Sequence, residues 1–125
     1  MEENLVNWFE IPVADFNRAR KFYEALFEKP VYVDSRFGET MGFLPMTPQS
    51  EGVGGAITLF DDFKPSGSGV IVYLNGGNDL TPMLNRVEPA GGRVTIPKTK
   101  ITDEIGYYAG FTDSEGNHIR IHSRH

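Results

Sequence analysis

The sequence predicts an α+β fold built from two copies of one unit, a strand followed by a helix and three further strands. Three observations carry that prediction. Strand-like and helix-like stretches recur in the same order on either side of the Pro- and Gly-rich segment Pro65-Ser66-Gly67-Ser68-Gly69. Each predicted helix opens on an aspartate followed by an apolar residue, Asp15-Phe16 in the first half and Asp79-Leu80 in the second. The 125 residues suffice for one core but are cramped for two independent domains. The expectation is therefore a single domain over 1–125, with module one about 4–62, a linker about 63–68 and module two about 69–123.

The first strand is read from Asn7 to Val13, where Phe9, Ile11 and Val13 alternate with Trp8 and Glu10, so Glu10 points away from the aliphatic side. Asp15 can accept hydrogen bonds from the first free amides of a helix. Phe16, Ala19, Tyr23, Leu26 and Phe27 then form its apolar stripe, leaving Arg18, Arg20, Lys21 and Glu24 to water. Lys29-Pro30 closes that helix because proline restricts its predecessor. Strands follow at Val31 to Ser35 and Thr40 to Met46, with a turn at Phe37-Gly38-Glu39 between them. Pro48 and the polar Gln49-Ser50-Glu51 lead to a flexible join at Gly52 to Gly55, and Ala56 to Phe60 alternates as the fourth strand.

In the second half, Val70 to Leu74 reads as a buried strand, and Asp79 caps a helix with the stripe Leu80, Met83, Leu84 and Val87. Pro82 suits the first helical turn, where a missing amide has no intrahelical partner, and Pro89-Ala90-Gly91-Gly92 ends the helix. Strands are expected at Arg93 to Ile96, Tyr107 to Thr112 and Asn117 to His122, the last after a turn at Asp113 to Gly116. The charged segment Pro97 to Gly106 is either a lid or a surface connection. One half alone leaves one sheet face uncovered while its helix covers the other, so two halves together make a stable unit.

Composition removes several classes of function. Zero cysteines exclude disulfides, thiolate metal sites and a cysteine nucleophile. A net charge of −5 disfavours nucleic acid and anionic lipid, both of which need a basic footprint. No apolar run approaches the ~20 residues of a membrane helix. The acidic start Met-Glu-Glu-Asn lacks the features of a secretion signal, so the cytoplasm is the expected compartment. Gly52-Val53-Gly54-Gly55 is not a phosphate loop, since no Gly-Lys-Ser/Thr follows and a strand rather than a helix comes next. There is no Gly-x-Ser-x-Gly elbow and no His-Glu-x-x-His. Asp61-Asp62 suits a turn better than an acid and base pair.

A hydrophobic strand, then Asp-Phe-Asn-Arg-Ala-Arg-Lys-Phe-Tyr from Asp15, and Asp-Ser-Glu-Gly-Asn-His-Ile at 113–119 together resemble the vicinal oxygen chelate superfamily. It contains glyoxalase I, extradiol dioxygenases and the bleomycin and fosfomycin resistance proteins. The likeness runs from about Asn4 to His122. It implies paired βαβββ modules whose curved mixed sheets form a cup, assembled as a homodimer. In metal-dependent members the cup holds a divalent cation on His and Glu side chains. The motifs carry those positions to Trp8, seven residues before Asp15, and Arg120, four after Gly116, with the other two near Thr58 and Val70. Tryptophan and valine offer no suitable lone pair, a threonine hydroxyl is weak, and a guanidinium repels a cation.

The expectation is therefore a metal-free cup with no cofactor, holding a small organic molecule, in a binding protein or a metal-independent enzyme. Its candidate lining is Trp8, Glu10, Thr58, Phe60, Val70, Val72, His118 and Arg120, with Glu10 and Arg120 as polar groups and Phe43, Tyr107 and Tyr108 as candidate aromatic walls. Alternatively, Glu10 and Arg120 only bridge two sheets. A metal-dependent lyase or isomerase resembling glyoxalase I would need another ligand set, Glu10, His118 and His122. Two histidines four apart on a strand lie roughly 13 Å from each other, too far for one ion. His122 and His125 otherwise belong to an exposed C-terminus. A dimerisation module with a filled cup is the reading from another class.

Overall fold

A computed structural model describes residues 5–35, 40–46 and 52–125. The predicted turn at Phe37-Gly38-Glu39 and the segment Pro48 to Glu51 lie outside the described residues. The chain divides into two compact units, Met1–Pro65 and Ser66–His125.

Module one comprises β1 (Trp8–Pro12), α1 (Phe16–Phe27), β2 (Tyr32–Asp34), β3 (Thr40–Phe43) and β4 (Gly54–Leu59), in sheet order β1-β4-β3-β2. The Asp15 carboxylate accepts from the Arg18 amide at 3.0 Å, satisfying one of the free donors at the start of α1. At the other end Glu28 adopts a left-handed backbone, φ 57°, which turns the chain out of the helix before Pro30. The buried face of α1 is Ala19, Phe22, Tyr23 and Leu26, so Phe22 replaces the expected Phe27 and Phe16, both half-buried. Glu24 is not left to water. Its Oε2 accepts from the Val31 amide at 2.9 Å and from Arg20 Nε at 3.2 Å, tying the end of α1 to the entry of β2. The Val31 amide holds its carboxyl below the ordinary value of 4.5, with Arg20 adding to the effect. The expected glycine join is partly strand: Gly54 and Gly55 open β4, and a side chain at Gly55 would collide with the Phe9 ring.

Module two repeats this connectivity with β5 (Val72–Asn75), α2 (Thr81–Ala90), β6 (Arg93–Thr102), β7 (Gly106–Thr112) and β8 (His118–Ser123). Its sheet order is β5-β8-β7-β6, and in both modules the first and last strands pair in parallel while the other pairs are antiparallel. The α+β class and the duplicated βαβββ unit are thus present.

Four boundaries differ from expectation. Val70 and Ile71 precede β5, with Val70 in a bend and 95% exposed. Asp79 stands one residue before the helix N-cap, Leu80, whose side chain makes no cap; the Asp79 carboxylate still accepts from the Thr81 amide at 2.9 Å and from Lys98 Nζ at 3.0 Å. Pro89 lies inside the last turn of α2, which ends at Gly91 with φ 111°. The candidate lid is mostly β6, which runs on to Thr102 in register with β7; Pro97, lacking an amide proton, falls in a register shift between Ile96 and Thr99.

Each module buries its core between its helix and one sheet face. Ile11, Ile57, Ala19, Phe22, Tyr23 and Leu26 fill the first; Leu74, Ala109, Phe111, Ile119, Ile121, Leu80 and Val87 fill the second. The opposite faces carry Trp8, Glu10, Phe43 and Thr58 in module one and Tyr73, Tyr108, His118 and Arg120 in module two. Among the described residues no helix is long and apolar enough to cross a membrane.

Candidate functional site

The Asp113-to-Asn117 motif is a clamp. Asp113 Oδ1 accepts from the backbone amides of Glu115 and Asn117, both at 2.9 Å, while Oδ2 accepts from the Asn117 side-chain amide at 3.0 Å. Asn117 Oδ1 in turn accepts from the Ser66 amide at 3.0 Å, and the Ser66 carbonyl accepts from the His118 amide at 3.4 Å. Asp113 and Asn117 are only 4% and 5% exposed, so each of these groups depends on its partner rather than on water. The clamp pins the segment 66–71 beside the start of β8. Between them is an open pocket of about 270 Å³, lined by Gly67, Ser68, Gly69, Val70, Ile71, His118 and Arg120.

His118, Arg120 and His122 project from the β8 face turned away from α2, whereas Ile119 and Ile121 are buried on the other. Strand β8 is interior, so Arg120 has neighbours on both sides. Tyr73 is in register on β5 and Gly110 on β7. Arg120 Nη1 donates to the Tyr73 hydroxyl at 2.7 Å and Nε donates to His118 Nε2 at 3.2 Å. An arginine N–H can only donate, so the imidazole proton of His118 is on Nδ1. The guanidinium also lies 5.6 Å from the Tyr73 ring centroid and 5.3 Å from that of Tyr108, both within cation–π range.

In module one the corresponding polar group is a carboxylate. Glu10 is registered with Ala56 and accepts from the Thr58 hydroxyl at 3.0 Å and from the Trp8 indole N–H at 3.2 Å. Thr58 is fully buried. Trp8 packs edge-on to Phe43, centroids 5.8 Å apart, and with Tyr32, Phe43, Pro45 and Met46 it lines an apolar pocket of about 430 Å³.

The expected lining residues are described within each unit. Trp8, Glu10 and Thr58 form one group, and His118 and Arg120 another with the backbone around Val70. Val72 does not join the second: it is in register with Ile119, on the face toward α2, and Tyr73 takes the place beside Arg120. Phe60 lies past the end of β4 against Phe63, centroids 5.2 Å apart. Of the two tyrosines, Tyr108 shares the face of Arg120, while the Tyr107 ring lies under Lys98 Nζ at 4.7 Å. His122 is half-buried, with Nε2 2.7 Å from the Ile105 carbonyl. The sequence starts β5 two residues early, and one aromatic in an apolar run carries no signal of its face, so the place of Tyr73 is shown by the structure alone.

These side chains do not fit a divalent cation. Of the positions matched to metal ligands, Trp8, Thr58 and Val70 are poor or null donors, and Arg120 is permanently positive. The alternative set fares no better, because His118 Nε2 already accepts from Arg120 and His122 Nε2 engages Ile105. Among the described residues no group of three or more His, Cys, Asp or Glu side chains comes together.

The sequence profile of the Glyoxalase/Bleomycin resistance protein/Dioxygenase superfamily matches residues 5–121. The chain belongs to that superfamily. Solved members share its fold at low identity. A glyoxalase/bleomycin resistance protein from Albidiferax ferrireducens T118 aligns over 98% of this chain and 100% of its own, with TM-score 0.72 and 20% identity. The genomically encoded fosfomycin resistance protein FosX from Listeria monocytogenes aligns over 98% and 92%, with TM-score 0.67 and 16% identity. Glyoxalase I from Zea mays aligns over 94% of this chain but 44% of its own, with TM-score 0.67 and 17% identity. No curated protein sequence matches.

Proposed function

We propose that this superfamily member is a metal-independent protein that binds a small organic molecule at the polar face of module two. The observation that carries the reading is Arg120. It occupies a position where metal-dependent relatives would place a ligand, and its Nε–H is spent on the Nε2 of His118, one of the few ligand-type side chains nearby. A fixed cation there favours a ligand's own polar group over a bound metal. The adjoining pocket, about 270 Å³, suits a small group rather than a macromolecule. Association as a homodimer belongs to the same proposal.

The test begins with protein purified without chelators. Metal analysis should find substoichiometric nickel, zinc and manganese, and titration with each should give no saturable heat. Thermal-shift screening against small organic molecules should yield compounds that raise Tm with their concentration, since a ligand bound only to the native state stabilises by mass action. Stoichiometric, tight metal binding would instead favour a lyase or isomerase related to glyoxalase I. A metal-free protein that no small molecule stabilises would point to a dimerisation module.

A further inference from the structure

We infer that the pocket between residues 67–71 and Arg120 takes the oxyanion of its ligand, a carboxylate, phosphonate or phosphate group attached to a small organic body. The inference rests on the metal-free reading above and names the chemistry of the ligand. Arg120 is a charge whose module partners are both neutral, a tyrosine hydroxyl and an imidazole nitrogen. The module's lysines behave differently: Lys98 pairs with Asp79, and Lys100 with Asp103. Two hydrogen bonds and two aromatic faces fix the guanidinium plane without neutralising it. Nη2 and the second Nη1 hydrogen have no partner among the described residues of the module. That edge is the fork that holds carboxylate or phosphoryl oxygens in a bidentate way.

The surroundings suit the same group. Gly67 and Gly69 leave the pocket wall low, while Gly110, in register with Arg120, is covered by the Ile96 side chain. Ser68 adds a hydroxyl, already within 3.2 Å of Ser66 Oγ, on a segment that the Asn117 clamp holds in place. Tyr73, half exposed, offers a flat surface next to the guanidinium for the ligand's organic part. In a chain of net charge −5, long-range attraction does not recruit anions, so binding depends on this local geometry.

Benzoate and phenylphosphonate serve as probes, with benzamide as the neutral counterpart of benzoate and inorganic phosphate as the head group alone. Titrations followed by amide and arginine Nε–H NMR shifts should give saturable changes at Arg120 and 67–71 with the anions, and at least tenfold weaker binding of benzamide. Arg120→Met should weaken the anions roughly tenfold or more. Arg120→Lys, which keeps charge but loses the fork, should fall between, and Tyr73→Phe should cost a few-fold. Lys98→Met, a cation outside the pocket, should change nothing. Equal binding of benzamide and benzoate, undiminished binding in a folded Arg120→Met protein, or no saturable response to any anion would overturn the inference. Those outcomes leave the metal-free reading standing; tight stoichiometric nickel or zinc would end that reading instead.

Discussion

The two modules share one topology and carry opposite charges at comparable places on their first and last strands. In module one the charge is Glu10, held by two neutral donors, one on the fully buried Thr58. In module two it is Arg120, held by two neutral acceptors at a half-open face, with donors to spare. The repeat sets where a side chain can point, whereas its identity and its partners decide how far it is satisfied within the fold. A carboxylate held by a fully buried hydroxyl is tied to the fold, because removing that donor leaves a part-buried charge with one partner fewer. The guanidinium, with an unused edge, is the group we propose to bind a ligand.

Four substitutions should sharpen or break that contrast, in descending order of effect. Asp113→Ala removes the acceptor of two backbone amides and of the buried Asn117 side chain. It should cost about 2–4 kcal/mol by urea denaturation and open 66–71 to hydrogen exchange before global unfolding. An unchanged midpoint would show that the clamp is decorative.

Next comes the comparison itself. Thr58→Val deprives Glu10 of its nearer donor while keeping the side chain's shape, and should cost about 1–2 kcal/mol. Arg120→Met should change stability by less than about 1 kcal/mol, because its hydrogen bonds are only partly shielded from water. Equal losses from the two substitutions would erase the distinction between a structural charge and a binding charge.

The smallest effect concerns acid. Asp79 is drawn down to about 2 from the ordinary 3.8, chiefly by the Thr81 amide, then by the Thr81 hydroxyl and Lys98. Its folded-state value lies below the unfolded one, so its contribution is complete above pH 3.8 and is lost as pH falls toward 2. Asp79→Asn should flatten that part of the acid limb in a pH series of thermal melts. Glu24 in module one, lowered by the Val31 amide, acts in the same sense below its ordinary 4.5.

Much of the fold was legible because its signals are local. Asp15 announces a helix by being an acid before an apolar stripe, and the capping bond to Arg18 N follows from backbone geometry alone. The alternation of Ile119, Arg120 and Ile121 separates buried from exposed faces for the same reason. Legibility failed where partners come from elsewhere. Phe22 outranks Phe27 because the sheet decides which part of a helix is covered, and Glu24 leaves solvent because the Val31 amide arrives from beyond the helix. In β6, Pro97 reads as a strand breaker, yet pairing with β7 absorbs it in a register shift.

By itself the sequence determined the duplicated βαβββ order and the faces of β1 and β8, since periodicity and capping are properties of neighbouring residues. Tertiary structure alone decided that Tyr73 rather than Val72 stands beside Arg120 and that Asn117 fixes the segment from Ser66. It also decided that Glu10 is held by Thr58. Each of these joins residues more than forty positions apart, and strand register, which no local pattern encodes, is what brings them within a hydrogen bond.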